Sequence, residues 1–129
     1  MGISPSLDLS TPDAASMLDG LVSVGISQMA RAGLPKGEFP VIRGIQSGRI
    51  RYERRDPNEQ WQTWQQLLAS GEGDCEDLTT ATAAELLYNG IEARTYVYKS
   101  GPHLYHVVLK TYRWGILDPS RAAGMEGNG

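Results

Sequence analysis

Residues 71–90 read GEGDCEDLTTATAAELLYNG, and no other stretch restricts the fold as tightly. Asp74 is a good N-cap, and Asp77 falls at N3, where a carboxylate suits the free backbone N–H groups and the helix dipole. Gly71 and Gly73 make the approach a tightly turning loop, and Gly90 after Asn89 is a stop signal at C′. Between them, Leu78, Ala81, Ala83, Ala84, Leu86 and Leu87 spread around most of a helix circumference. A helix that is apolar or small nearly all round belongs in the interior. The only cysteine, Cys75, therefore falls at the N-terminus of a buried helix. Such surroundings lower a thiol pKa from about 8.5 into the range of roughly 3.5–7.5. The competing reading of a lone cysteine is a small buried hydrophobe.

After Gly90 the hydrophobic period changes from helical to alternating. Residues 92–99 and 104–110 read as two strands joined by a Ser100-Gly101-Pro102 turn, and 114–117 as a third. Three strands in hairpin order after a helix predict an α+β fold, with a central buried helix packed on a small antiparallel sheet. Upstream, Thr11 or Ser10 as cap and Pro12 at N1 open a helix that runs to about residue 32 on Met17, Leu18, Leu21, Val24 and Met29. Gly20 and Gly25 weaken it by about 1 kcal/mol each relative to alanine. Four breakers, Pro35, Pro40, Gly44 and Gly48, make residues 33–48 an extended loop. Residues 49–55 alternate as a short strand with a solvated basic face. Asp56-Pro57-Asn58 is a turn, and Trp61, Trp64, Leu67 and Leu68 carry a helix to Ser70. The polar arm 1–10 and the glycine-rich tail 120–129 lack periodicity and read as loosely held.

A chain of 129 residues is one domain on length, with its core expected over about 45–120. One cysteine excludes an internal disulfide framework. A net charge of −3 argues against a nucleic-acid surface, and no apolar run reaches membrane-spanning length. The expected setting is cytoplasmic, with neither nucleic acid nor membrane as partner.

Nucleophilic thiol catalysis requires a thiolate, an imidazole within hydrogen-bond reach, and a group that orients the imidazole. Cys75 supplies the first. His106 lies in the following hairpin, and Asp118 closes the neighbouring strand. Paired strands are about 4.8 Å apart, so an imidazole on one and a carboxylate on the next can meet. With the turn centred near residue 112, His106 and Asp118 become roughly cross-strand partners. His103, beside the Gly101-Pro102 turn, is the alternative base. Zinc held by Cys75, His103, His106 and Asp118 is disfavoured, because residues three apart on a strand face opposite sides. No metal or other cofactor is expected.

The segments GEGDCEDLTTATAAELLYNGIEAR, HVVLK and WGILDPS together resemble the core of the transglutaminase-like superfamily of papain-type cysteine enzymes. That core has a Gly-Asp-Cys motif opening a helix, a histidine at the start of a strand, and an Asp-Pro closing the adjacent strand. RIRYERRDPNEQW before the motif and DPSRAAGM after it extend the likeness over about residues 45–125. The likeness is to small members of the kind found in phage and prophage gene sets. The resemblance implies Cys75 as nucleophile, His106 as general base and acid, and Asp118 as orienting carboxylate. Asp74 and Asp77 become structural caps beside the thiol. Many larger members keep a longer spacing from histidine to aspartate, and His103, fifteen positions from Asp118, fits that spacing better. The implied chemistry is acyl transfer or hydrolysis at a peptide or glutamine amide through a thioester. One oxyanion donor would be the Cys75 backbone N–H and the other a group from residues 61–66. Implied partners are a protein or peptide substrate and, for a phage-encoded member, phage structural proteins, in host cytoplasm or virion. The alternative is a catalytically idle binding or assembly module on the same fold.

Overall fold

The computed structural model describes residues 13–54, 61–102 and 104–126. The expected arm at 1–10, the cap at residues 10–12, the turn at 56–58, His103 and the last three residues lie outside them. The chain runs α1 (Asp13–Ala32), α2 (Pro40–Ser47), β1 (Arg51–Tyr52), α3 (Trp64–Ser70), β2 (Glu72–Gly73), α4 (Cys75–Tyr88), β3 (Ala93–Gly101), β4 (Leu104–Thr111), β5 (Gly115–Leu117) and α5 (Pro119–Ala122). The fold is α+β, with a three-stranded antiparallel sheet in the order β3-β4-β5. Among the described residues, no helix is long and apolar enough to cross a membrane.

The expected buried helix is α4. Every residue from Asp77 to Leu86 is buried. Its small side chains let α1 approach closely: a Cβ at Gly25 would stand 2.9 Å from Cβ of Ala84 and 3.3 Å from Cβ of Trp64. The glycine that costs α1 helix propensity is thus the one its packing requires. On α1 the inward stripe uses Leu18, Leu21, Val22 and Met29, while the expected Val24 is 43% exposed. The stripe therefore runs through one neighbouring position that a strict spacing rule misses. The core that gathers on α4 also takes Val41 and Ile45 from α2, Leu67 from α3 and Leu109 from β4. α3 begins at Trp64, with Thr63 and Gln66 forming a capping box.

Two expectations fail on the path of the chain, and one holds only in part. Residues 40–47 form α2 and not a loop. Pro40 begins the helix, where its missing N–H costs nothing. The first free N–H groups are satisfied from a distance, because the Glu85 carboxylate accepts from Val41 N at 2.6 Å and from Ile42 N at 3.0 Å. Of the short strand expected at 49–55, the described residues form the two-residue β1, with Ile50 buried and Arg51 exposed, and it pairs in parallel with β2 outside the antiparallel sheet. The start of the supposed loose tail is folded as well: α5 follows Asp118, and Ala123 and Met125 are buried. Backbone bonds hold it, from Tyr52 N to Ala123 O at 2.9 Å and from Met125 N to Ser120 O at 2.9 Å. In addition β3 runs through the expected turn at residues 100–102 as far as Gly101, which pairs with Leu104 after a register shift.

Candidate active site

The site grows from the N-terminus of α4. Asp74 has the extended backbone of an N-cap, and its Oδ1 accepts from Asp77 N at 3.0 Å. Asp77 Oδ2 accepts in return from Asp74 N at 3.2 Å, which completes a capping box. Both aspartates are therefore caps, as expected. Asp77 is also fully buried, and its Oδ1 accepts from Gln62 N at 2.8 Å. Gly73 has to be small here, since a Cβ would stand 2.8 Å from Cβ of Asp77 and 2.9 Å from Cδ1 of Leu67.

Cys75 follows directly, half-buried in the first turn of α4. The backbone N–H of Val107 on β4 faces the thiol and favours its charged form. One turn on, Thr79 Oγ1 donates to Val107 O at 3.2 Å. The backbone of Val107 on β4 thus meets the first turns of α4. Val107 is the residue immediately after His106.

His106 is 1% exposed, and its Nε2 lies 3.0 Å from Oδ2 of Asp118. The two residues are not directly opposite. Leu109 pairs with Leu117, so the register would set Asp118 against Val108, one diagonal step from His106. Such diagonal neighbours are within reach of longer side chains. The hairpin is centred one residue later than expected, because its turn spans residues 112–114. Asp118 also caps α5, its Oδ1 accepting from Arg121 N at 3.2 Å, and Arg121 Nε lies 3.4 Å from Oδ2. The Tyr98 ring stands at 90° to the imidazole, 5.7 Å between centroids. The imidazole Nδ1 is buried with no hydrogen-bond partner among the described residues. A neutral imidazole that donates Nε2–H to a carboxylate leaves Nδ1 as a proton acceptor.

The electrostatics reverse one expectation. Burial pushes the Cys75 thiol up from its ordinary value, and the Glu76 and Asp74 carboxylates push it further, against the lowering pull of the Val107 N–H. The expected lowering by the helix N-terminus is outweighed, because charge on sulfur would be partly dehydrated and would face carboxylates. Burial first, then Glu76, raises Asp74 to about 8. Burial first, then Asp74, raises Asp77 to about 7. The thiol therefore rests protonated, and a nearby base must take its proton as it reacts.

From residues 61–66 the structure brings Gln62 to the site, but its amide is engaged. Nε2 donates to Glu72 O at 2.7 Å and to Asp77 Oδ2 at 3.2 Å. The sequence reading also passed over Glu85, which is fully buried and accepts from Trp64 Nε1 at 2.7 Å as well as from α2. The available signal was an acid standing between Ala84 and Leu86 in an otherwise apolar helix. Among the described residues, no group of three or more His, Cys, Asp or Glu side chains is arranged to hold a metal ion. Family models, curated proteins and solved structures yield no match to this chain.

Proposed function

We propose that the chain is a transglutaminase-like thiol enzyme that performs acyl transfer or hydrolysis at a peptide or glutamine amide carbonyl. One observation carries the reading: His106 gives Nε2 to Asp118 and keeps an Nδ1 that is buried without a partner among the described residues, next to Val107, whose carbonyl accepts from Thr79 one turn along α4 from Cys75. In the proposed reaction the sulfur attacks the carbonyl carbon and forms a C–S bond. The thiol proton passes to Nδ1 of His106, and the carbonyl π pair becomes an oxyanion. The C–N bond then breaks, and the imidazolium gives its proton to the leaving amine or ammonia. Water or an acceptor amine, deprotonated by the same nitrogen, cleaves the thioester. Asp118 holds the tautomer throughout and stabilises the imidazolium. No cofactor enters this scheme. The substrate class is protein or peptide, and phage structural proteins in a host cytoplasm or a virion suit the sequence likeness.

A direct test uses p-nitrophenyl acetate as acyl donor. The expected result is a burst of nitrophenol with one acetyl group on Cys75 by mass spectrometry, absent in Cys75→Ala, whose circular dichroism stays unchanged. A folded Cys75→Ala protein that matches the wild type would overturn the reading.

A second reading rests on a different observation. The β4–β5 hairpin exposes Tyr112, Trp114 and Ile116 at 95%, 50% and 63%. Trp114 also lines an apolar cleft of about 470 Å³ with Phe39, Ile42, Leu86, Ile91 and Leu117. Such a surface suits a binding or assembly module. That reading requires a stable protein partner and a Cys75 without enzymatic reactivity.

A further inference from the structure

An oxyanion formed at Cys75 needs two donors, and the helix N-terminus offers the Cys75 N–H as one. Gln62, the candidate from residues 61–66, has its amide hydrogens committed to Glu72 O and Asp77 Oδ2. Tyr52 is differently placed. It lies on β1 opposite Gly73 of β2, two residues before Cys75. Its backbone is held on both sides, Glu53 N to Gly73 O at 2.8 Å and Tyr52 N to Ala123 O at 2.9 Å. The ring is half-buried against the core. Its hydroxyl is within electrostatic reach of the Cys75 thiol and of the Asp74 and Glu76 carboxylates. It makes no hydrogen bond to another described residue.

We propose that the Tyr52 hydroxyl is the second oxyanion donor, a catalytic group that hydrogen-bonds the substrate oxygen when sulfur adds to the carbonyl. The inference rests on the thiol-enzyme reading of Cys75 and deepens it. A donor on a strand held by its backbone, with no bond to another described residue to break, suits such stabilisation, since little reorganisation is then needed at the moment of reaction. Burial, with the Cys75, Asp74 and Glu76 charges behind it, raises the Tyr52 pKa from its ordinary value, so the O–H stays available as a donor.

Two probes of the full chain separate this role from others. N-Acetylglycinal adds to the thiol as a thiohemiacetal: a C–S bond forms as the S–H bond breaks, the thiol proton passes to Nδ1 of His106, and the π pair becomes an oxygen anion facing the donors. 4,4′-Dithiodipyridine reacts by disulfide exchange, with thiopyridone leaving, and has no carbonyl. Tyr52→Phe is expected to weaken aldehyde binding by about a hundredfold while the exchange rate and its pH profile stay as in wild type. Gln62→Ala, with its donors already committed, is expected to change both readouts by the same factor or neither. Equal aldehyde affinity in wild type and Tyr52→Phe overturns the role of Tyr52 alone. So does an equal loss in both probes, which places the hydroxyl on sulfur and not on oxygen, or a selective aldehyde loss in Gln62→Ala. A wild-type protein that reacts with neither probe overturns the thiol-enzyme reading, and the role of Tyr52 with it.

Discussion

Nε2 of His106 and Oδ2 of Asp118 are 3.0 Å apart across a diagonal of the β4–β5 hairpin, and the other imidazole nitrogen is buried without a partner among the described residues. The carboxylate therefore selects the tautomer with the proton on Nε2. Asp118→Asn separates this role from capping, because an amide oxygen still accepts from Arg121 N. If the side-chain N–H₂ turns toward Nε2, the proton moves to Nδ1, which then cannot take the thiol proton. Acylation of Cys75 should fall by about a thousandfold or more with little change in melting temperature. Asp118→Ala should lose the same activity and about 1 kcal/mol of stability as well, through the lost cap. Stopped-flow acylation and urea unfolding of both variants check this.

Asp77 yields a prediction of opposite sign to the usual one for an aspartate. Burial and the facing Asp74 carboxylate raise it to about 7 in the folded protein, while the unfolded group titrates near 4. Between those values the folded state holds more protons than the unfolded state, so stability falls as pH rises. The contribution is full below about pH 4 and is lost by the time pH passes the folded value near 7. Asp74, raised to about 8 with Glu76 beside it, acts in the same direction. Melting temperature should drop between pH 5 and 8 in the wild type, and the drop should be smaller in Asp77→Asn. A calorimetric series across that range measures the difference.

Glu85 joins three elements through one carboxylate. It accepts from Val41 N, Ile42 N and Trp64 Nε1, and no side chain of this fold is more completely buried. Glu85→Ala strands these three donors, each costing about 1–3 kcal/mol when left unsatisfied in the interior. A loss of roughly 3–5 kcal/mol is expected, enough to unfold a marginal domain. Trp64→Phe removes a single donor and should cost less than Glu85→Ala. Urea titration, read by circular dichroism, orders the two.

Where local signals agreed, the fold was legible. Residues 71–90 carried their own caps and burial pattern, and α4 appears as expected. The strand order and the His106–Asp118 pairing followed from alternation and turn residues. α2 was hidden because Pro40 and Gly44 read as breakers, while the carboxylate that completes its N-terminus is 44 positions away. The short α5 was hidden in a similar way, its cap being the same Asp118 that orients the imidazole. The direction of the thiol shift was partly written in GDCED. Asp74 and Glu76 flank Cys75, but whether the dipole or the carboxylates prevail depends on burial, which only the three-dimensional packing supplies.

The most direct test of a Cys75–His106 pair is the pH dependence of Cys75 alkylation by iodoacetamide in wild type, His106→Ala and His103→Ala. With burial and carboxylates raising the isolated thiol, reactivity must come from proton transfer to Nδ1 of His106. The wild type and His103→Ala should alkylate at the same rate through neutral pH, and His106→Ala should alkylate more slowly across that range, with an alkylation pKa above the free-thiol value of about 8.5. A slow wild-type reaction, indifferent to both histidine substitutions, would make Cys75 a structural thiol and contradict the account.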